Sequence, residues 1–138
     1  MRPSAGSGAI LALDVGQVRV GLALANRVAR IAHPAGAILR EDALGQIAER
    51  CKQERVDQLI IGLPRGMDGQ ETAQTIAVRQ FGTDLAARLN LPCAWQDEAL
   101  TSVQAEAELK KRGKPYAKAD IDALAATYIL EDYIRENI

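Results

Sequence analysis

The sequence predicts an α/β layer fold in which a mixed sheet is covered by helices. Three observations carry this reading. The chain has 138 residues, 48% of them apolar and 25% charged, the composition of one globular domain and neither a disordered nor a membrane-embedded chain. Its first half breaks into short apolar runs of strand length separated by turns. Its second half shifts to helical spacing around one further short strand, and helix–strand alternation of this kind needs helices layered on a sheet.

The elements follow in order. Residues 1–8 are small and turn-rich and read as a flexible tail, with a single domain over 9–138. Ala9 to Leu13 is a buried strand, Val18 to Leu24 a second after a Gly-containing turn, and Ile31 to Leu39 a third. Pro34 in the third strand argues for an edge position or a bulge, because proline has no N–H for a central ladder. Leu44, Ile47, Ala48 and Cys51 then fall at helical spacing behind Asp42, a candidate N-cap. Leu59-Ile60-Ile61 is a compact strand. Ala73, Ile76, Ala77, Phe81, Leu85 and Leu89 form a helical stripe that stops at Asn90 and Pro92. Cys93-Ala94-Trp95 is a strand, Thr101 with Gln104 suggests a capping box, and Ile121, Leu124, Ala125, Tyr128 and Ile129 stripe a terminal helix.

Composition removes several classes of chemistry. Cys51 and Cys93 are the only cysteines and His33 the only histidine, so a disulfide framework, a structural zinc site and a multi-histidine metal site are all excluded. His33 reads as structural and Asp68-Gly69 as a turn. The apolar run from Ala9 ends at Asp14, too soon for a signal peptide, and no apolar stretch has transmembrane length. A cytoplasmic setting with no membrane partner is the expectation. The net charge is −1, but Lys110, Lys111, Arg112, Lys114 and Lys118 crowd one acid-free segment. Without it the chain has 12 basic residues against 18 acidic, a polarity suited to a local phosphate-binding patch.

Carboxylates are left to carry the chemistry. Asp14-Val15-Gly16 stands at the end of the first strand, on the rim where α/β folds place ligands. Gly16 would let a phosphate or metal approach the backbone, although Asp14 has an equal claim as a turn cap. Asp97-Glu98 ends the strand that begins at Cys93. Successive strand residues face opposite ways, so one of the pair faces the site. The alternative is a solvated loop whose acids favour the next helix dipole. Asp122 lies at the edge of the core face of the terminal helix, with Asp120 the better N-cap.

In combination, these residues carry a resemblance. Leu13-Asp14-Val15-Gly16 with Arg19 and Gly21, Ile61-Gly62-Leu63-Pro64 with Met67-Asp68-Gly69, Asp97-Glu98 with Leu100-Thr101-Ser102, and Ile121-Asp122-Ala123 with Ala125-Ala126 and Ile129-Leu130 occur in order along nearly the whole chain from Ala9. In these the chain resembles the YqgF/RuvX family, the Holliday-junction resolvase or pre-16S ribosomal RNA nuclease group. The resemblance implies an RNase H-like fold with a five-stranded mixed sheet flanked by helices. It also implies metal-dependent nuclease activity with Asp14, Glu98 and Asp122 as catalytic acids. Two departures from the family pattern, Ala99 in place of arginine and Val18 in place of lysine, each remove a cation near the site and spare the acids.

Under that resemblance two Mg²⁺ or Mn²⁺ ions would be bridged by Asp14 and held by Glu98 and Asp122, with Asp97 a further candidate ligand. Arg19 and the basic residues Lys110, Lys111, Arg112, Lys114 and Lys118 would neutralise phosphates, the segment forming a mobile connection between two helices. RNA is favoured over branched DNA on the resemblance. A junction resolvase would be expected to work as a two-fold homodimer. Two rivals remain: an actin-like phosphate-binding ATPase, which needs two such domains, and a non-catalytic nucleic-acid-binding module that has kept the fold.

Overall fold

A computed structural model describes residues 8–66, 68–98 and 101–138. Met67, Ala99 and Leu100, and all of the expected tail but Gly8, lie outside these. Gly8 is buried, and its carbonyl accepts the Arg27 N–H at 3.1 Å, so Gly8 packs with the strands that follow it.

Five strands form one sheet: β1 (Ala9–Val15), β2 (Arg19–Asn26), β3 (Ala32–Leu39), β4 (Val56–Pro64) and β5 (Cys93–Glu98), in the order β3-β2-β1-β4-β5. The first three make an antiparallel meander, while β4 and β5 run parallel to β1. This is the mixed sheet the sequence predicts. As Pro34 requires, β3 is an edge strand; its pairing with β2 is irregular beside Pro34, and Gly36 has φ 85°. His33 lies exposed on that edge, paired with Leu24 of β2, and is not a core histidine.

Helices cover both faces. α1 (Ala43–Glu54) and α2 (Ala73–Leu89) pack on one, over Leu11, Leu13, Leu59 and Ile61. α4 (Lys118–Asn137) lies on the other, over Ile10, Ala12, Ala23 and Ile60, with α3 (Thr101–Arg112) beside it. Alternation along β1 splits its side chains between these two cores. Two helix starts, those of α1 and α3, differ from expectation. Asp42 sits at the N-cap of α1 but makes no capping hydrogen bond, because a 3₁₀ turn over Arg40–Asp42 precedes the helix. The cap of α2 is Thr72, whose Oγ1 accepts the Thr75 N–H at 3.3 Å, while the Thr75 hydroxyl donates to the Pro64 carbonyl and ties the helix to β4. Thr101 is the first residue of α3, and its hydroxyl donates to Glu98.

Two glycines allow α4 to lie close on the sheet. A Cβ at Gly21 would fall 2.0 Å from the Asp122 carbonyl oxygen, and one at Gly62 would fall 2.5 Å from Ile129 Cδ1. The first obstacle is backbone and cannot rotate away. Gly21→Ala should therefore destabilise the protein by about 1–3 kcal/mol, the usual cost of overpacking. Gly45→Ala, in an exposed and open position on α1, should instead gain about 0.5–1 kcal/mol. Urea unfolding of both variants checks this, and equal effects would remove the close approach from the account.

Candidate active site

Parallel pairing fixes the site. β1, β4 and β5 run the same way, so their carboxyl ends share one sheet edge. Asp14 is the next-to-last residue of β1 and Glu98 the last of β5. In β1, Ile10 and Ala12 point to the α4 side, so Asp14 does too. In β5, Ala94 packs in the α4-side core and the buried Gln96 hydrogen-bonds Glu136 of α4 at 2.9 Å. Glu98 continues that face. Between the two acids lies Gly62 of β4, where a Cβ would come within 3.0 Å of Glu98 Oε2. The missing side chain leaves the carboxylates room to meet over the strand that separates them.

Asp122 arrives from above. Gly21 is the register partner of Asp14, and the backbone of α4 rests on Gly21 at Asp122. The helix thus delivers its carboxylate beside that of Asp14. The three acids expected from the sequence do converge. Their mutual influence falls on Asp14, whose carboxyl is pushed up from 3.8 to about 8, first by burial, then by the Glu98 charge and a hydrogen bond shared with it, then by the Asp122 charge.

The other expected residues fall into place around this centre. Asp97 points to the opposite face, where its Oδ1 accepts from Arg65 Nε at 3.0 Å, so strand alternation separates the acidic pair. Arg65 also approaches Glu71, which pairs with Arg79 at 2.8 Å, and Arg79 lies 5.4 Å from the centre of the Trp95 ring. Arg19 does not stand free for phosphate: its Nε donates to Asp122 Oδ2 at 2.7 Å. Gly16 serves the hairpin, since a Cβ there would meet the Arg19 carbonyl at 2.8 Å. Val18 is exposed on the same turn. Asp120 is not the cap of α4 but reaches back to accept the Ala117 N–H at 2.8 Å. The basic segment is largely helical: Lys110, Lys111 and Arg112 end α3, Lys118 begins α4, and only residues 113–117 connect them.

Two positioning residues were not anticipated. Thr101 Oγ1 donates to Glu98 Oε1 at 3.1 Å, orienting one oxygen while the other overlooks Gly62. Arg65 holds Asp97 outward. The signal for Gly62 was present as a glycine inside an apolar strand, a mark of close approach. Thiol chemistry has no place here: burial pushes Cys51 up to about 11 and raises Cys93 as well.

The donor set suits a hard divalent cation. Asp14 and Glu98 offer oxygens only, and burial without a cation forces them to share a proton. Among the described residues no three acidic, histidine or cysteine side chains form a cluster ready to hold a metal as they stand. Asp122 is turned to Arg19. Asp14 and Glu98 could hold such an ion as they stand, and Asp122 only on leaving Arg19.

Residues 8–136 match the RuvX family, described as Holliday junction resolvase. The chain belongs to the RuvX family. A relative from Chloroflexus aggregans, named "Putative pre-16S rRNA nuclease", is 42% identical over 91% of this chain and 92% of its own length. One of the same name from Dechloromonas aromatica is 37% identical over 91% and 90%. Among solved structures, RuvC of T. thermophilus in complex with Holliday junction substrate is similar in fold, with TM-score 0.54 over 94% of this chain and 96% of that one at 16% identity. The RNase H-like architecture implied by the sequence resemblance is therefore the fold of this RuvX-family chain.

The Asp14 carboxyl sets a pH dependence for the metal-free protein. In the unfolded chain it releases its proton near 4, whereas in the fold it keeps it to about 8. Its contribution to stability is thus fully present below about 4 and is lost as pH rises to about 8. Asp14→Asn should abolish this decline. Melting in EDTA should show the variant gaining on wild type steadily as pH rises from 5 to 8. At the upper end, millimolar Mg²⁺ or Mn²⁺ should raise the wild-type Tm and leave the variant nearly unmoved. A wild-type Tm that rises relative to the variant over this range would contradict the clustering.

Proposed function

We propose that this RuvX-family protein is a cytoplasmic, divalent-metal-dependent endonuclease that acts in 5′-end maturation of pre-16S ribosomal RNA. The observation that carries the reading is the meeting of Asp14, Glu98 and Asp122 on the α4 side of one sheet edge. Three carboxylates gathered at one sheet edge, with Arg19 as a counter-charge to one of them, are costly to assemble unless a cation is to be bound there. The names of the relatives favour an RNA precursor.

Bound Mg²⁺ or Mn²⁺ would lower the pKa of an attacking water and neutralise charge on the leaving oxygen of an in-line phosphodiester displacement. The protein's residues supply the setting. Asp14, deprotonated when the cation replaces its shared proton, is central because it adjoins both other acids. Glu98, fixed by Thr101, and Asp122, released by Arg19, flank it. Arg19 then faces the same centre with an unspent guanidinium that can take a phosphate oxygen. Lys111, Lys114 and Lys118 lie along the α3–α4 connection, where they would hold the backbone of the substrate strand without reading its sequence.

A second reading, resolution of four-way DNA junctions by a two-fold homodimer, is favoured by the family description and by the likeness in fold to RuvC. Metal-dependent cleavage of a labelled pre-16S 5′ precursor and of a four-way junction, assayed side by side, separates the two. RNA cleavage is expected to dominate. Asp14→Asn and Glu98→Gln should each reduce it by about a hundredfold or more, since even partners that merely orient metal ligands cost 10–100-fold. Asp97→Asn, whose carboxylate faces Arg65, should stay within about threefold of wild type, as expected for a change that touches neither ligand nor orienting group. Equal losses at Asp97 and Glu98 would overturn the assignment. Binding without cleavage of either substrate would leave a non-catalytic module.

A further inference from the structure

Where the basic connection meets the sheet, a cavity of about 440 Å³ opens beside the first turns of α4, within the size range of small-molecule sites. Its floor is apolar, formed by Leu109, Ala123 and Leu124, one wall is Tyr116, and Arg112 and Lys114 stand at its edge. The floor residues are nearly buried and Tyr116 is half-buried, while both cations are exposed. We propose that this cavity holds one unstacked nucleotide of a single-stranded segment of the substrate, its base against Tyr116 and its phosphate at Arg112 and Lys114. The proposal rests on the nucleic-acid reading above and adds to it a second, base-holding site apart from the carboxylates.

Charge and shape both point to this occupant. A purely aliphatic ligand would not need cations at the rim, and a bare phosphate would not need an apolar floor with an aromatic wall. A nucleotide uses both. Among the described residues Arg112 is engaged only by an exposed pair to Glu108 at 3.2 Å, and Lys110 only by one to Glu106 at 3.8 Å. Such exposed pairs are weak and exchange readily for phosphate. Among the described residues Lys111, Lys114 and Lys118 have no ion-pair partner. One carboxylate also lines the cavity. Asp120 already accepts the Ala117 N–H, and its remaining acceptor capacity suits the exocyclic amine of a base, not a phosphate.

Position along the helix links cavity and catalytic centre. Asp120, Ala123 and Leu124 line the cavity, and Asp122, between them in sequence, meets Asp14 on the sheet side. Along the helix axis the two sites lie within about 3 Å of each other, on different sides of α4 because successive residues turn by about 100°. A strand rounding the N-terminal end of α4 would therefore meet both. A duplex could not seat a base here without unpairing it, so the cavity selects for single-stranded or locally opened substrate.

The test is binding of a short fluorescent single-stranded RNA by the full chain in EDTA, with one abasic residue moved along the oligonucleotide. At one position the abasic substitution should weaken wild-type binding roughly five- to a hundredfold, the range for losing one base–aromatic stack. Tyr116→Ala should bind the intact RNA with the same deficit and be insensitive to the abasic position, and Tyr116→Phe should behave as wild type. The salt slope should be unchanged in Tyr116→Ala. In the Lys111→Ala, Arg112→Ala, Lys114→Ala triple variant it should fall by somewhat under one unit per lost phosphate contact. Abasic residues harmless at every position, or a matched duplex bound as tightly as the single strand, would overturn the nucleotide site, and the wild-type scan gives this answer even if Tyr116→Ala fails to fold. If the triple variant still loses affinity and slope in that case, the backbone reading of the segment stands alone. If it binds as wild type, both readings fail.

Discussion

The backbone of α4 comes down onto the backbone of β2 at Gly21, which has no side chain, and the active centre depends on that contact. Gly21 is the register partner of Asp14 in the antiparallel ladder, so whatever rests on Gly21 is brought beside Asp14. What rests there is the carbonyl of Asp122. Had any other residue occupied position 21, the helix would have to lift, and the Asp122 carboxylate would be carried away from the strand ends. Gly62 plays the matching part on β4: its bare Cα admits Ile129 from α4 and leaves Glu98 room to approach. Close helix-on-sheet packing and convergence of the acids are therefore one geometric fact.

That geometry sets up an electrostatic problem. Burial and two neighbouring carboxylates hold Asp14 protonated well beyond the usual carboxylate range, and Asp122 takes its relief from Arg19 at 2.7 Å. The site is thus balanced by one shared proton and one arginine, and under the proposed reading a divalent cation would displace both. Substitution of the proton by metal would ionise Asp14, and release of Asp122 would free Arg19 for the substrate phosphate. Meanwhile Thr101 keeps Glu98 oriented and Arg65 keeps Asp97 turned away. Each of these small contacts limits which carboxylates can take part.

Much of this was legible in the residues themselves. Apolar runs and helical stripes gave the strands and helices in order, and Pro34 placed β3 at an edge, because burial and proline chemistry are local properties. The acids were found as candidates because they stand at element ends. Strand alternation could say that Asp97 and Glu98 diverge but not which faced inward; that depended on Ala94 and Gln96 packing against α4, a tertiary fact. The Arg19–Asp122 pair spans distant parts of the chain and left no local mark, so Arg19 was read as a phosphate ligand. The lysine-rich segment was read as a mobile connection on charge and Gly113-Lys114-Pro115, whereas its first three cations complete α3, whose preceding residues Ala105 and Leu109 are anchored against α4. The short strands β4 and β5 extended past their apolar centres because parallel pairing carries polar residues into the ladder, Gln58 of β4 against β1 and Gln96 of β5 against β4.

The central claim is that Asp14 and Glu98 form the primary seat of a divalent cation, with Asp122 recruited from Arg19. Anomalous scattering at the manganese edge from crystals grown with Mn²⁺ tests it most directly. The account predicts an anomalous peak between the Asp14 and Glu98 carboxylates at the shared ends of β1 and β5, with the Asp122 side chain rotated off Arg19 toward it. A peak seated elsewhere, with Asp14 still against Glu98 and Asp122 still on Arg19, would contradict it.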